Sequence, residues 1–87
     1  MELNFTIDAS LLIDRISREL NRYGGEFKGD VFSGQLKLNI YGAGDFLADY
    51  TITGQRISIV IKKKPFLVSN AMAEFNIKKF LNKINTG

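Results

Sequence analysis

The chain has no cysteine, no histidine and no tryptophan, and its only proline is Pro65. Without cysteine there are no disulfides, thiolate nucleophiles or thiolate metal sites, a composition compatible with a reducing compartment. Without histidine the chain lacks the common zinc, iron and copper ligand, and the side chain most used for proton transfer near neutral pH. Catalysis would have to rest on carboxylates, lysine or tyrosine, or on a borrowed cofactor. We therefore read the chain as non-enzymatic, with no cofactor, no metal and no catalytic residues. Long apolar runs are missing too. None approaches the ~18 residues of a membrane helix, and the opening MELNFTIDAS lacks the basic-then-apolar order of a signal peptide. These features predict a cytoplasmic protein with no transmembrane segment.

What is present suits one small folded domain over residues 1–87: 45% of the 87 residues are hydrophobic, and a core of that size must do all the stabilising. Charge is unevenly spread. Residues 1–50 carry eight acids and five bases, whereas residues 51–87 carry seven bases and one acid, Glu74. Such a basic final third suits either a solvated lysine-rich surface or an anionic partner.

Leu3, Phe5 and Ile7 alternate with polar residues, as in a short strand with one apolar face. Asp8 or Ser10 can cap a following helix. Leu12, Ile13, Ile16, Leu20 and Tyr23 recur at helical spacing, and Gly24-Gly25 ends the run. Asp14 with Arg18 and Arg15 with Glu19 form i,i+4 pairs on the outer side.

From Glu26 the pattern folds as a meander, with turns expected at Ser33-Gly34, Gly42-Ala43-Gly44 and Gly54-Gln55. The first turn sets Val31 opposite Leu36 and Phe27 opposite Ile40. The second sets Ile40 opposite Phe46, Leu38 opposite Ala48 and Leu36 opposite Tyr50. The third sets Ile52 opposite Ile57, Tyr50 opposite Ile59 and Ala48 opposite Ile61. This yields one continuous apolar face and, on the other, a charge row Asp30–Lys37–Asp49.

A closing helix from about Ser69 to Asn85 presents Ala73, Ile77, Phe80, Leu81 and Ile84 on one side. The expected architecture is α+β, β-α-β-β-β-β-α, an antiparallel four- to five-stranded meander with both helices packed on one face.

Few motifs carry chemistry. Gly42-Ala43-Gly44 lacks phosphate-loop spacing and lies between strands. Asp30, Asp45, Asp49 and Glu26 form the available acid cluster, but Lys37 falls between Asp30 and Asp49, where a hard cation needs converging oxygens. Lys62-Lys63-Lys64 with Lys78, Lys79 and Lys83 is the strongest non-structural signal, with Lys62 and Lys64 expected on the sheet face that bears Arg56 and Val60. Each lysine near an anionic bilayer contributes ~1 kcal/mol. Nucleic acid fits less well, since exposed aromatics beside the lysines are few and no RNP-type motif is present. Met72 and Phe75 fall opposite the apolar stripe, beside Lys79. That arrangement suits an interfacial helix or a dimer contact, unless the helix starts late or kinks so that both reach the core. The apolar step Phe66-Leu67-Val68 after Pro65 either packs inward or lines the entrance to a cavity between sheet and helix.

Phe27 to Leu81 resembles the small bacterial family of polyhydroxyalkanoic acid system (granule-region) proteins. The matching residues are Gly29-Asp30 before a strand, Gly42-Ala43-Gly44, the strand TGQRISIVI, Phe66-Leu67-Val68, and Glu74 with Ile77-Lys78-Lys79 and Leu81. The chain departs from that family at Ala43, where the family has an acid, and at Pro65, where it favours glycine. The overall layout is also similar to START-like, polyketide cyclase-like helix-grip domains, whose members often hold hydrophobic ligands. These resemblances imply a non-catalytic protein associated with storage-polymer granules or binding a lipid or acyl ligand. Phe66, Leu67, Met72 and Phe75 are then the apolar contacts, and Lys62, Lys64, Lys78 and Lys79 the charge. The alternative is a protein-interaction module, a homodimer with no small-molecule ligand.

Overall fold

A computed structural model, which describes residues 1–40 and 44–85, runs β1 (Glu2–Asn4), α1 (Ala9–Arg22), β2 (Glu26–Gly29), β3 (Ser33–Ile40), β4 (Gly44–Thr53), β5 (Arg56–Lys63) and α2 (Asn70–Asn85). The strands form one antiparallel sheet in the order β1-β5-β4-β3-β2. This is the α+β architecture that the alternation predicts, with the opening strand at the edge beside β5.

Asp8 is the cap of α1, its carboxylate accepting from the Ser10 amide at 3.2 Å and from the Ser10 hydroxyl. These bonds, the hydroxyl first, hold the Asp8 carboxyl below its usual range. Leu12, Ile13, Ile16 and Leu20 are buried as their spacing requires. Tyr23 is not: the Gly25 amide closes onto the Leu20 carbonyl at 2.7 Å, so the helix ends and leaves Tyr23 exposed. Asp14 and Arg18 pair at 3.1 Å, and Glu19 meets Arg22 at 3.2 Å.

The β4–β5 hairpin has the expected register, with Ile52 opposite Ile57, Tyr50 opposite Ile59 and Ala48 opposite Ile61. Gly54 has φ 60° and no non-glycine residue among those described has positive φ, so the turn is of the type II′ kind. The other two hairpins differ from expectation. The chain reverses at Val31-Phe32, not Ser33-Gly34, and places Phe27 opposite Leu36 and Gly29 opposite Gly34. Asp30 makes this turn. Its carboxylate accepts from the amides of Phe32 (2.8 Å) and Ser33 (3.1 Å), bonds that hold it below the usual carboxylate range, Phe32 contributing most. Between β3 and β4, Leu36 faces Ala48 and Leu38 faces Phe46, while Lys37 faces Leu47. The expected row Asp30–Lys37–Asp49 is therefore not formed. Tyr41, Gly42 and Ala43, on which the expected glycine turn mostly falls, lie outside the described residues, and Gly44 opens β4.

Both slips are even shifts, so Phe27, Leu36, Leu38, Phe46, Ala48 and Tyr50 keep their expected face and the core is built from it. Leu36, Ala48, Tyr50, Ile57 and Ile59 of the sheet are buried against Leu12, Ile13, Ile16 and Leu20 of α1 and Leu81 and Ile84 of α2. Each such large side chain stabilises by ~1.5–3 kcal/mol relative to exposure. The opposite sheet face, including Lys37, Thr51, Arg56 and Val60, is open to solvent.

The last turn of α2 is held firmly. The Asn85 side-chain oxygen accepts from the Thr6 amide at 2.9 Å, and Arg15 donates to the Ile84 carbonyl at 2.7 Å. Gln55 Nε2 secures the same region by donating to the carbonyls of Phe5 (2.9 Å) and Ile7 (3.1 Å).

Candidate functional site

The residues joining β5 to α2 form a tight turn with two sides. Pro65 is buried, the Val68 amide donates to the Pro65 carbonyl at 3.0 Å, and Lys64 Nζ donates to the Val68 carbonyl at 2.5 Å. This folds Pro65 and Val68 inward and turns Phe66 and Leu67 out, leaving them 93% and 83% exposed. Ser69 then starts α2, its hydroxyl accepting from the Met72 amide at 3.1 Å. Because the helix begins at Asn70, the stripe of Ala73, Ile77, Phe80, Leu81 and Ile84 faces the core. Met72 and Phe75 consequently face solvent, 53% and 65% exposed, with Lys78 and Lys79 also exposed.

Six of the sequence-derived residues are thus exposed: Phe66 and Leu67 on the loop, and Met72, Phe75, Lys78 and Lys79 on the outward side of α2. Two lie elsewhere. A register shift beside Leu47 and Ala48 sets Lys63 opposite Leu47, on the sheet face away from the helices. Lys62 is on that face as well, 3.9 Å from Asp49. The irregularity turns consecutive lysines the same way, where strict alternation would have paired Lys62 with Lys64. Lys63 acts on Asp45, whose carboxyl lies below its usual range because of the Asn39 amide (2.7 Å) first, with Lys37 and Lys63 adding to it against partial burial. Lys64, bonded to the loop backbone, is a structural residue.

The larger finding lies beneath α2. A cleft of about 460 Å³ opens between the helix and the sheet. Its floor is Leu36, Leu38 and Phe46, and its end wall is Leu20 and Tyr23 of α1. Pro65 and Val68 form the loop side, and Ala73, Asn76, Ile77 and Phe80 the roof. Two features create it. β3 and β4 extend past the short edge strand β2, so Leu38 and Phe46 have sheet floor around them but little helix above. The roof residue nearest the loop is the small Ala73. The volume falls within the range of small-molecule sites, roughly 300–1,000 Å³, which are mainly apolar with a few polar groups. Here Tyr23 and Asn76 are polar residues of the walls.

Pairing arguments on the sequence show which face is apolar, but not how far the helix stands above it. The available signal was Ala73 within an otherwise bulky stripe, next to the apolar residues after Pro65.

Among the described residues no group of three or more acids is placed to hold a metal ion, and no helix is long and apolar enough to cross a membrane. Comparison of the chain with protein-family models, curated proteins and solved structures finds no match.

Proposed function

We propose that this is a small non-catalytic cytoplasmic binding protein whose cleft takes a hydrophobic molecule: an acyl chain, a lipid tail or a segment of a hydrophobic polymer such as polyhydroxyalkanoate. The cleft itself carries the reading. It opens between the apolar face of the sheet and a helix, and its walls offer dispersion contact with few polar groups to satisfy. Tyr23 and Asn76 are able to orient a polar end, and Lys37 also lines the cleft. Titration with a fluorescent fatty-acid analogue tests this. The protein is expected to bind it saturably, and Ile77→Trp, which fills the cleft from the roof, to weaken binding at least tenfold while unfolding remains cooperative. Equal binding by the two proteins, or none by the unsubstituted chain, overturns the reading.

A second reading, a homodimer with no small-molecule ligand, is favoured by the exposure of Phe66, Leu67, Met72 and Phe75. It predicts a molecular size that rises with concentration and falls on Phe75→Ser.

A further inference from the structure

The outward surface of the loop and α2 does something the cleft does not require. Phe66 and Leu67 are the most exposed large apolar side chains among the described residues, and Met72 and Phe75 are exposed as well, on the outward side of α2. A ligand inside the cleft would not cover them, because they point away from it. Their neighbours in the chain are strongly basic. From Lys62 to Lys83 there are six lysines and one acid, Glu74, and of these lysines Lys78 and Lys79 are exposed on the outward side of α2. Apolar tips on a loop, followed by a helix with Phe and Met among lysines, combine the two attractions an anionic bilayer offers: an acyl layer to enter and headgroup charge to meet.

We propose that this surface docks on a bilayer rich in anionic phospholipid, with Phe66 and Leu67 entering the headgroup–acyl boundary and Met72 and Phe75 following, while Lys78 and Lys79 meet lipid phosphate. Charge selects this occupant over a second copy of the chain. In a two-fold contact the exposed Lys78 and Lys79 of α2 would face their own copies, with Glu74 the single acid of that helix to offset them. Position supports it as well. Pro65 and Val68 line the cleft while Phe66 and Leu67 between them point outward, so a docked loop sets the cleft entrance at the membrane surface. That entrance function rests on the ligand-binding reading; the docking does not.

Co-sedimentation with vesicles is the test. The full chain is expected to bind phosphatidylglycerol vesicles, to bind phosphatidylcholine vesicles at least tenfold more weakly, and to lose affinity as salt rises. Lys78→Gln with Lys79→Gln is expected to lower binding roughly 30-fold, from about one fivefold step per lysine. Phe66→Ser with Leu67→Ser is expected to lower it tenfold or more while leaving the melting curve and fatty-acid titration unchanged, since neither side chain is in the core or the cleft. Binding that ignores these substitutions, or no binding to anionic vesicles, overturns the docking. A concentration-dependent dimer abolished by Phe66→Ser and Leu67→Ser, without vesicle binding, assigns the surface to a second copy. Docking with no fatty-acid binding by the same protein would leave this inference standing and remove the cleft reading.

Discussion

Tyr50 lies directly across from Gly34, and its ring fills the space a β-carbon there would need. A β-carbon on Gly34 would sit 2.6 Å from the Tyr50 ring and would also collide with the Lys28 carbonyl. Gly29, opposite Gly34 on the other side, is equally closed, 2.7 Å from the Tyr50 hydroxyl. The hydroxyl passes over this glycine pair to donate to the Asp30 carbonyl at 2.6 Å, and the ring stacks on Phe27 at 5.8 Å. The tyrosine thus pins the β2–β3 hairpin to the middle of the sheet.

Gly34→Ala is accordingly expected to destabilise the fold by about 3 kcal/mol, the upper part of the range for overpacking, because backbone stands on one side of the new methyl and a buried ring on the other. Urea denaturation followed by circular dichroism would show it as a lower midpoint. Tyr50→Phe keeps the ring and loses the bond, for about 1 kcal/mol.

Burial raises the Tyr50 phenol to about 12, with the nearby Asp30 charge adding to it. The folded state therefore favours the neutral phenol more than the unfolded chain does, where tyrosine titrates near 10. The stability that this provides is complete below about pH 10 and is lost progressively up to about pH 12. Denaturation midpoints measured across that window should fall for the unsubstituted chain. Tyr50→Phe should lack that component of the fall, and parallel curves would contradict the assignment.

The slip of two hairpins shows what apolar alternation does and does not encode. Alternation specifies faces, and both observed registers preserve them: Leu36 meets Phe27 and Ala48, inward like the partners expected for it. Any even shift satisfies that rule equally. The choice among even shifts came from elsewhere. Asp30 builds a better turn than Ser33-Gly34, because its carboxylate takes two amides, and Gly34 is needed within the strand, under Tyr50. Gly54-Gln55 was legible because glycine is needed at the turn itself. The solvent-facing surface of Met72 and Phe75 was legible from helical phase. The cleft was not, since helix-to-sheet spacing depends on how side chains of unequal size stack, which no local period records.

Asn85→Ala should remove the acceptor for the Thr6 amide and loosen α2 from the start of the chain, at a cost of about 1–2 kcal/mol. Asn85→Asp, which retains an acceptor oxygen, should lose less. Thermal unfolding of the two variants side by side distinguishes a lost bond from a general effect at that position.

Amide hydrogen exchange should divide α2. Leu81 and Ile84 anchor its last turns in the core, whereas Ala73 is the fully buried residue of its first two. Amides before Ile77 are expected to exchange at least tenfold faster than those of residues 81–84. Uniform protection along the helix would show that the roof of the cleft is as fixed as its base.

The grip on the final turn of α2 gives the roof the mechanics of a cantilever. Its root is set by Asn85, Arg15 and the buried Leu81 and Ile84, and its tip is the stretch from Asn70 to Ile77 over Leu38 and Phe46. Lifting the tip widens the cleft without parting α1 from the sheet. On the ligand-binding reading proposed above, selection among occupants would follow bending stiffness rather than the fit of a rigid mould. Affinity should decline smoothly, not abruptly, as the thickness of the occupant grows.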